Sequence, residues 1–253
     1  MMKRKQTTEL DETLRKLNLT TMVEHYEELA KDAASQQLSH VEYLGRLADI
    51  EAQARYERSV ARRIKRAAFP VVKSLEQFRW SWPTEINRPQ IQDLFRLRFI
   101  EQNVNVVFMG NVGLGKTHLA IALAHTACLH DISVLFTSAV DIVNTLSAAQ
   151  SVDNLPKALK RYLTPRLLVV DELGYLPMDK RGSDLLFQVI SARYERGSIA
   201  LTTNTLYKKW ARIFNNDAII TSAILDRLTH HCETITIKGK SYRTHGDDDE
   251  SAG

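Results

Sequence analysis

Apolar side chains recur at helical steps over the first quarter of the chain and gather into short continuous runs over the rest. From Glu9 to Ala68 there is one glycine, Gly45, and no proline. Leu10, Leu14 and Leu17, then Met22, Tyr26 and Leu29, keep three- and four-residue spacing around a polar break at Asn18 to Thr20. A further helix is expected from Ser39, an N-cap with Glu42 three residues on, and runs through Leu44, Leu47, Ile50 and Ala54. It closes at Phe69-Pro70, because the residue before a proline avoids the α region. Residues 1–70 are therefore expected to form a small all-helical domain. Leu75 to Pro83 reads as an apolar linker, and Leu94, Phe95, Leu97 and Phe99 as one helix at the edge of the next domain.

Short apolar runs then alternate with helical patterns, which predicts an α/β domain over 71–243 with a parallel sheet flanked by helices. The strands are Asn105–Met109, Ser133–Thr137, Leu167–Glu172, Ile199–Asn204 and Glu233–Ile237. Helices are read at His118–Ala127, 141–150, 155–163 and 222–228. Residues 244–253 form an acidic tail expected to be disordered.

Chemistry enters between the first strand and its helix. Gly110-Asn111-Val112-Gly113-Leu114-Gly115-Lys116-Thr117 fits the P-loop spacing G-x-x-x-x-G-K-[ST]. Glycines let the backbone curl so that successive N–H groups face a polyphosphate, and the following helix adds its positive end. Lys116 is expected at the β- and γ-phosphates and Thr117 on Mg²⁺, with His118 completing the nucleotide-contacting set. The strand Leu167–Glu172 is four apolar residues ending in two carboxylates, a Walker B pattern in which Asp171 holds Mg²⁺ through water and Glu172 orients the attacking water. Adjacent Asp-Glu suits transfer to water rather than to a second substrate. Asn204 tips the next strand, within reach of a γ-phosphate or the catalytic water. Arg227, on the helix carrying Asp226-Arg227-Leu228, is a candidate arginine finger acting across a subunit interface.

Charge adds a second theme. Arg55, Arg58, Arg62, Arg63, Lys65 and Arg66 put six cations into twelve residues against the single acid Glu57, enough to neutralise several phosphates of a nucleic acid. The net charge is +4, and removing the tail's Asp247, Asp248, Asp249 and Glu250 leaves +8. Two cysteines exclude a four-cysteine zinc site. No apolar run nears the ~18 residues of a membrane span, and the N-terminus lacks a signal h-region. A cytoplasmic protein is expected. His230, His231 and Cys232 are assigned no role, since adjacent side chains diverge on regular backbone.

The order Walker A, Walker B, Asn-tipped strand and Arg-bearing helix resembles the AAA+ ATPases of the initiator and helicase-loader clade. Within it, Gly110 to Ala120, Val170 to Tyr175, Thr202-Thr203-Asn204, Ala223 to Leu228 and Gly239 to Arg243 are similar to the IstB family of insertion-sequence transposition helpers. The likeness spans about residues 8–243. It implies an ATP- and Mg²⁺-dependent homo-oligomer, a ring or spiral, that sits on duplex DNA and recruits and stimulates its transposase. It also implies Asn204 as sensor 1, Arg227 as the finger, and 139–163 as a nucleic-acid-gripping insertion with Lys157, Lys160 and Arg161 as its cations. The wider AAA+ pattern has a C-terminal helical lid. None is expected here, and Arg243 is the candidate substitute for its sensor arginine. A DnaC-type helicase loader is the alternative reading; a nucleotide switch with incidental hydrolysis is the third.

Overall fold

The helical spacing of the first third becomes three helices in the computed structural model: α1 (Met2–Lys16), α2 (Thr20–Ser35) and α3 (His40–Ala67). The structure describes residues 2–242, and side chains from residue 9. Asn18, with φ 57°, makes the break between α1 and α2. The α3 entrance is a capping box: the Ser39 hydroxyl accepts the Glu42 N–H at 3.2 Å and the Glu42 carboxylate accepts the Ser39 N–H at 2.8 Å. α2 has no side-chain cap of its own. Glu51 of α3, 2% exposed, supplies one instead, accepting the N–H groups of Thr21 at 2.8 Å and Met22 at 3.1 Å. These are donors that the helix itself leaves unpaired. The chain divides into two compact units between Arg62 and Arg63.

In the second unit, the expected helix around Leu94 to Phe99 is two short ones, α4 (Arg88–Leu94) and α5 (Arg98–Glu101), separated by Leu97 at φ 62°. Leu94, Leu97, Phe99 and Ile100 are all buried. Leu94 and Phe99 would stand about 140° apart on one helix, so a left-handed break brings both to the core.

The sheet comprises β1 (Asn105–Gly110), β2 (Val134–Ser138), β3 (Leu167–Leu173), β4 (Ser198–Thr203) and β5 (Cys232–Ile237), ordered β2-β3-β4-β1-β5 and parallel throughout. Helices α6 (Lys116–Leu129), α7 (Ala139–Ser151), α8 (Leu155–Leu163), α9 (Lys180–Arg193) and α10 (Ala218–Thr229) link and cover it. One apolar cluster packs Val106, Phe108 and Val169 with Leu119 and Leu123 of α6. The other packs Val107, Leu168 and Leu201 with Ile142, Leu186 and Ile224. The inner strands β1, β3 and β4 are buried along nearly their whole length, which explains why their sequences read as continuous apolar runs.

Arg193 fixes the end of this sheet away from the P-loop. Its guanidinium, 2% exposed, donates to the carbonyls of Tyr162 and Pro165 at 2.8 Å, Arg166 at 3.0 Å and Ser198 at 2.8 Å. Burial pulls its pKa down to about 10, so the cation persists and ties the end of α8 to the starts of β3 and β4. Among the described residues no helix is long and apolar enough to cross a membrane. Arg243 and the acidic tail lie outside the described residues.

Candidate nucleotide site

β1 delivers the chain at Gly110, and α6 begins at Lys116. Between them Gly113 and Gly115 take φ 78° and 80°, which glycine adopts without strain. Space also demands them: a Cβ on Gly113 would run into the Ser241 side chain, and one on Gly115 would come within 2.6 Å of the Phe78 ring. Lys116 Nζ donates to the Asn111 carbonyl at 2.7 Å, folding its ammonium back over the loop. The chain after β5 clasps the same loop, with the Tyr242 N–H donating to the Gly113 carbonyl at 3.0 Å.

The cavity above the loop measures about 580 Å³. Phe78, Trp82 and Tyr242 line it, as do Glu172 and Asn204. The Trp82 indole N–H donates to the Lys240 carbonyl at 3.0 Å, and its ring meets Tyr242 edge-on at 5.0 Å. The stretch from Leu75 to Pro83, expected as a linker, therefore builds a wall of the site. Its aromatic content was the available signal. His118 also lines the cavity, with Nε2 2.9 Å from the Ser74 carbonyl and its ring 5.5 Å from Phe78.

On the floor, the Thr117 hydroxyl donates to Asp171 Oδ1 at 2.9 Å. Asp171 is 7% exposed. A hydroxyl and a carboxylate oxygen in contact beside a phosphate-binding loop are hard ligands, and they fit Mg²⁺. Thr202 of β4 adds a second hydroxyl to the same Oδ1, at 2.5 Å. Glu172, the next residue, is exposed and sits at φ 59°. Asn204 accepts the Thr205 hydroxyl at 2.9 Å through Oδ1.

Arg227 is not brought to this cavity. It lies on α10, half-buried, donating to the Ala223 carbonyl at 3.0 Å with its guanidinium 5.0 Å from the Phe187 ring centroid.

The basic run on α3 divides by partner. Arg55 and Arg58 reach Glu51 at 2.9 and 3.1 Å. Arg63 turns into its own unit, bonding the Cys128 carbonyl at 2.8 Å and the Asp131 carboxylate at 2.5 Å. Arg62, Lys65 and Arg66 are exposed, as are Lys157, Lys160 and Arg161 on α8. The histidine pair departs from expectation: the His230 and His231 rings lie 4.1 Å apart rather than diverging, because α10 ends there and the backbone is no longer regular. With Glu195 they form an exposed group whose candidate ligand atoms lie within 4.8 Å of one another.

The family profile described as IstB-like ATP binding protein matches residues 12–249. An insertion-sequence IS21 protein of Pseudomonas aeruginosa, named for ATP binding, is 38% identical over 93% of this chain and 88% of its own length. The corresponding IS232 protein of Bacillus thuringiensis subsp. berliner is 37% identical over 93% of this chain and 94% of its own. Among solved structures, the DnaC helicase loader superposes with a TM-score of 0.52 at 23% identity, covering 65% of this chain and 96% of that one, a likeness of fold. The fold is thus shared with that structure, a parallel five-stranded sheet with flanking helices, and further helices precede it in this chain.

Proposed function

The chain belongs to the IstB-like ATP-binding family, and from that premise we propose that it is an ATPase that regulates DNA transposition. It assembles on duplex target DNA with ATP bound, recruits and stimulates the transposase of its own element, and uses hydrolysis to time release. The observation carrying this reading is the Thr117–Asp171 hydrogen bond on the floor of the P-loop cavity, with Glu172 exposed beside it.

Each residue then has a task in this scheme. The amides of Gly113 to Thr117 and the Lys116 ammonium receive the phosphates. Thr117 and Asp171 would hold Mg²⁺, which neutralises charge on the β- and γ-phosphates when bound. Glu172 accepts a proton from the attacking water and aligns it, and Asn204 fixes that water or the γ-phosphate from the opposite side. Arg227, remote from its own cavity, serves the nucleotide of a neighbouring subunit, so that hydrolysis waits for assembly. The exposed cations Arg62, Lys65 and Arg66 of α3, and Lys157, Lys160 and Arg161 of α8, contact DNA phosphates. Arg55, Arg58 and Arg63 contribute the same sign of field while holding their intramolecular partners.

The test is ATP turnover with and without duplex DNA, with particle size followed by light scattering in the same mixtures. Large particles that require both ATP and DNA, with stimulated turnover, are expected. A monomer indifferent to duplex DNA would overturn the reading and direct attention to single strands and a helicase partner.

A further inference from the structure

β3 and β4 keep step from the pair Leu167 and Ser198 to the pair Val170 and Leu201, and then lose it. The next matched pair is Leu173 and Thr203. Three steps along β3 are spanned by two along β4, so Asp171 and Glu172 together stand opposite the single residue Thr202. This is a β-bulge, uncommon between parallel strands and a means of re-aiming a side chain. Here it undoes the ordinary alternation of the pleat and carries the left-handed backbone of Glu172, at φ 59°. Non-glycine residues seldom hold that conformation unless their surroundings enforce it.

The bulge also takes the Glu172 amide out of the regular ladder, leaving a backbone donor that needs another acceptor. Thr202 provides one. Its hydroxyl, on a residue 1% exposed, accepts the Glu172 N–H at 2.9 Å and donates its one proton to Asp171 Oδ1 at 2.5 Å. A threonine that merely filled a strand position could satisfy its hydroxyl on any nearby carbonyl. Thr203, one residue on, does so: its hydroxyl donates to the Leu173 carbonyl at 2.8 Å and accepts the Thr205 N–H at 3.1 Å, shaping a turn. Thr202 instead joins the two residues of the acidic pair through one oxygen.

We propose that Thr202 is a positioning residue for ATP hydrolysis, its hydroxyl latching the bulge that presents Glu172 to the cavity and orienting the Asp171 carboxylate toward Thr117. This rests on the reading of Asp171 and Glu172 as the hydrolytic pair. Thr202 also borders the cavity, but both of its hydroxyl bonds go to Glu172 and Asp171, and it acts through these two neighbours across the strand.

The experiment compares the full-length wild type with Thr202→Val, which keeps the shape and loses the hydroxyl, and Thr202→Ser, which keeps the hydroxyl. Three quantities are read: affinity for a fluorescent ATP analogue in EDTA, the Mg²⁺ dependence of that affinity, and the Mg²⁺ dependence of turnover. Thr202→Val is expected to bind nucleotide in EDTA as the wild type does. Its kcat should fall roughly ten- to a hundred-fold, the scale of a lost hydrogen bond to a charged group, and its half-saturating Mg²⁺ concentration should rise. Thr202→Ser should restore both. Wild-type kcat and Mg²⁺ response in Thr202→Val, or a serine variant as impaired as the valine one, would overturn the proposal. If valine compromises folding, Thr202→Cys takes its place, since a thiol is a weaker donor and acceptor of similar size. A wild type that binds Mg²⁺ and ATP without turnover would instead count against the hydrolysis reading. Thr202 would then be judged by the Mg²⁺ dependence of binding alone, where an unchanged Thr202→Val rejects its role.

Discussion

Glu51 in the helical unit and Asp171 in the unit that carries the P-loop are both buried carboxylates, 2% and 7% exposed, yet their partners differ in kind. Glu51 receives two backbone amides and two guanidiniums. Burial alone would raise its pKa, but the hydrogen bond from Arg55 and those from the Met22 and Thr21 amides prevail and hold it below the ordinary 4.5. Its charge is spent on architecture, as the missing cap of α2 and the anchor of two arginines. Asp171 receives two hydroxyls, from Thr117 and Thr202. A hydroxyl orients a carboxylate without cancelling its charge. The first arrangement is closed; the second is oriented but open to a cation.

That contrast is broken most sharply at Asp171. Asp171→Asn keeps the shape and removes the charge, and turnover supported by Mg²⁺ should fall roughly 10²- to 10³-fold, measured by phosphate release. The thermal unfolding midpoint should hardly move. Unfolding of the P-loop unit by this change would mean that Asp171 is as architectural as Glu51.

Glu51→Gln probes the other side. It should destabilise the helical unit by about 2–3 kcal/mol, because two helix-end amides and two guanidiniums lose a charged acceptor, read as a lower denaturant midpoint by circular dichroism. The pH response sharpens the point. A carboxyl whose folded pKa is depressed contributes stability above its unfolded pKa and loses it as pH falls through the folded value. Wild type should therefore weaken below about pH 4.5 more steeply than Glu51→Gln, from the direction of the Glu51 shift. Equal acid sensitivity would remove Glu51 from the account. The smallest effect belongs to the α3 entrance, where Ser39→Ala should cost about 1 kcal/mol, visible in the same denaturant curves.

The contrast also marks what a sequence discloses. The P-loop is legible because its requirements are local: glycines, a lysine and a hydroxyl at fixed spacing in one turn. The Ser39–Glu42 box is legible for the same reason. Asp171 and Glu172 are legible as a strand end, and β1, β3 and β4 by their apolar runs. Thr202 is not, because its task depends on a register slip between strands 30 residues apart in sequence, as the Glu172–Thr202 bond records. The cations of α3 show the same limit. Counting them suggests a uniform basic surface, whereas the fold assigns Arg63 to Cys128 and Asp131 and pairs Arg55 and Arg58 with Glu51. Helical spacing cannot announce a left-handed residue between two short helices, which is what Leu97 is. The segment Leu75–Pro83 reads as a connector until Tyr242, distant in sequence, closes the other half of the wall.

That wall gives the protein an optical gauge of its own. Of its three tryptophans, Trp210 is fully buried against Phe214, and Trp80 packs under Arg88 at 4.8 Å. Trp82 alone among them lines the cavity. With Trp80 and Trp210 replaced by phenylalanine, a single indole would emit from beside the place where a nucleotide enters. Occupancy could then be followed in real time without attaching any dye.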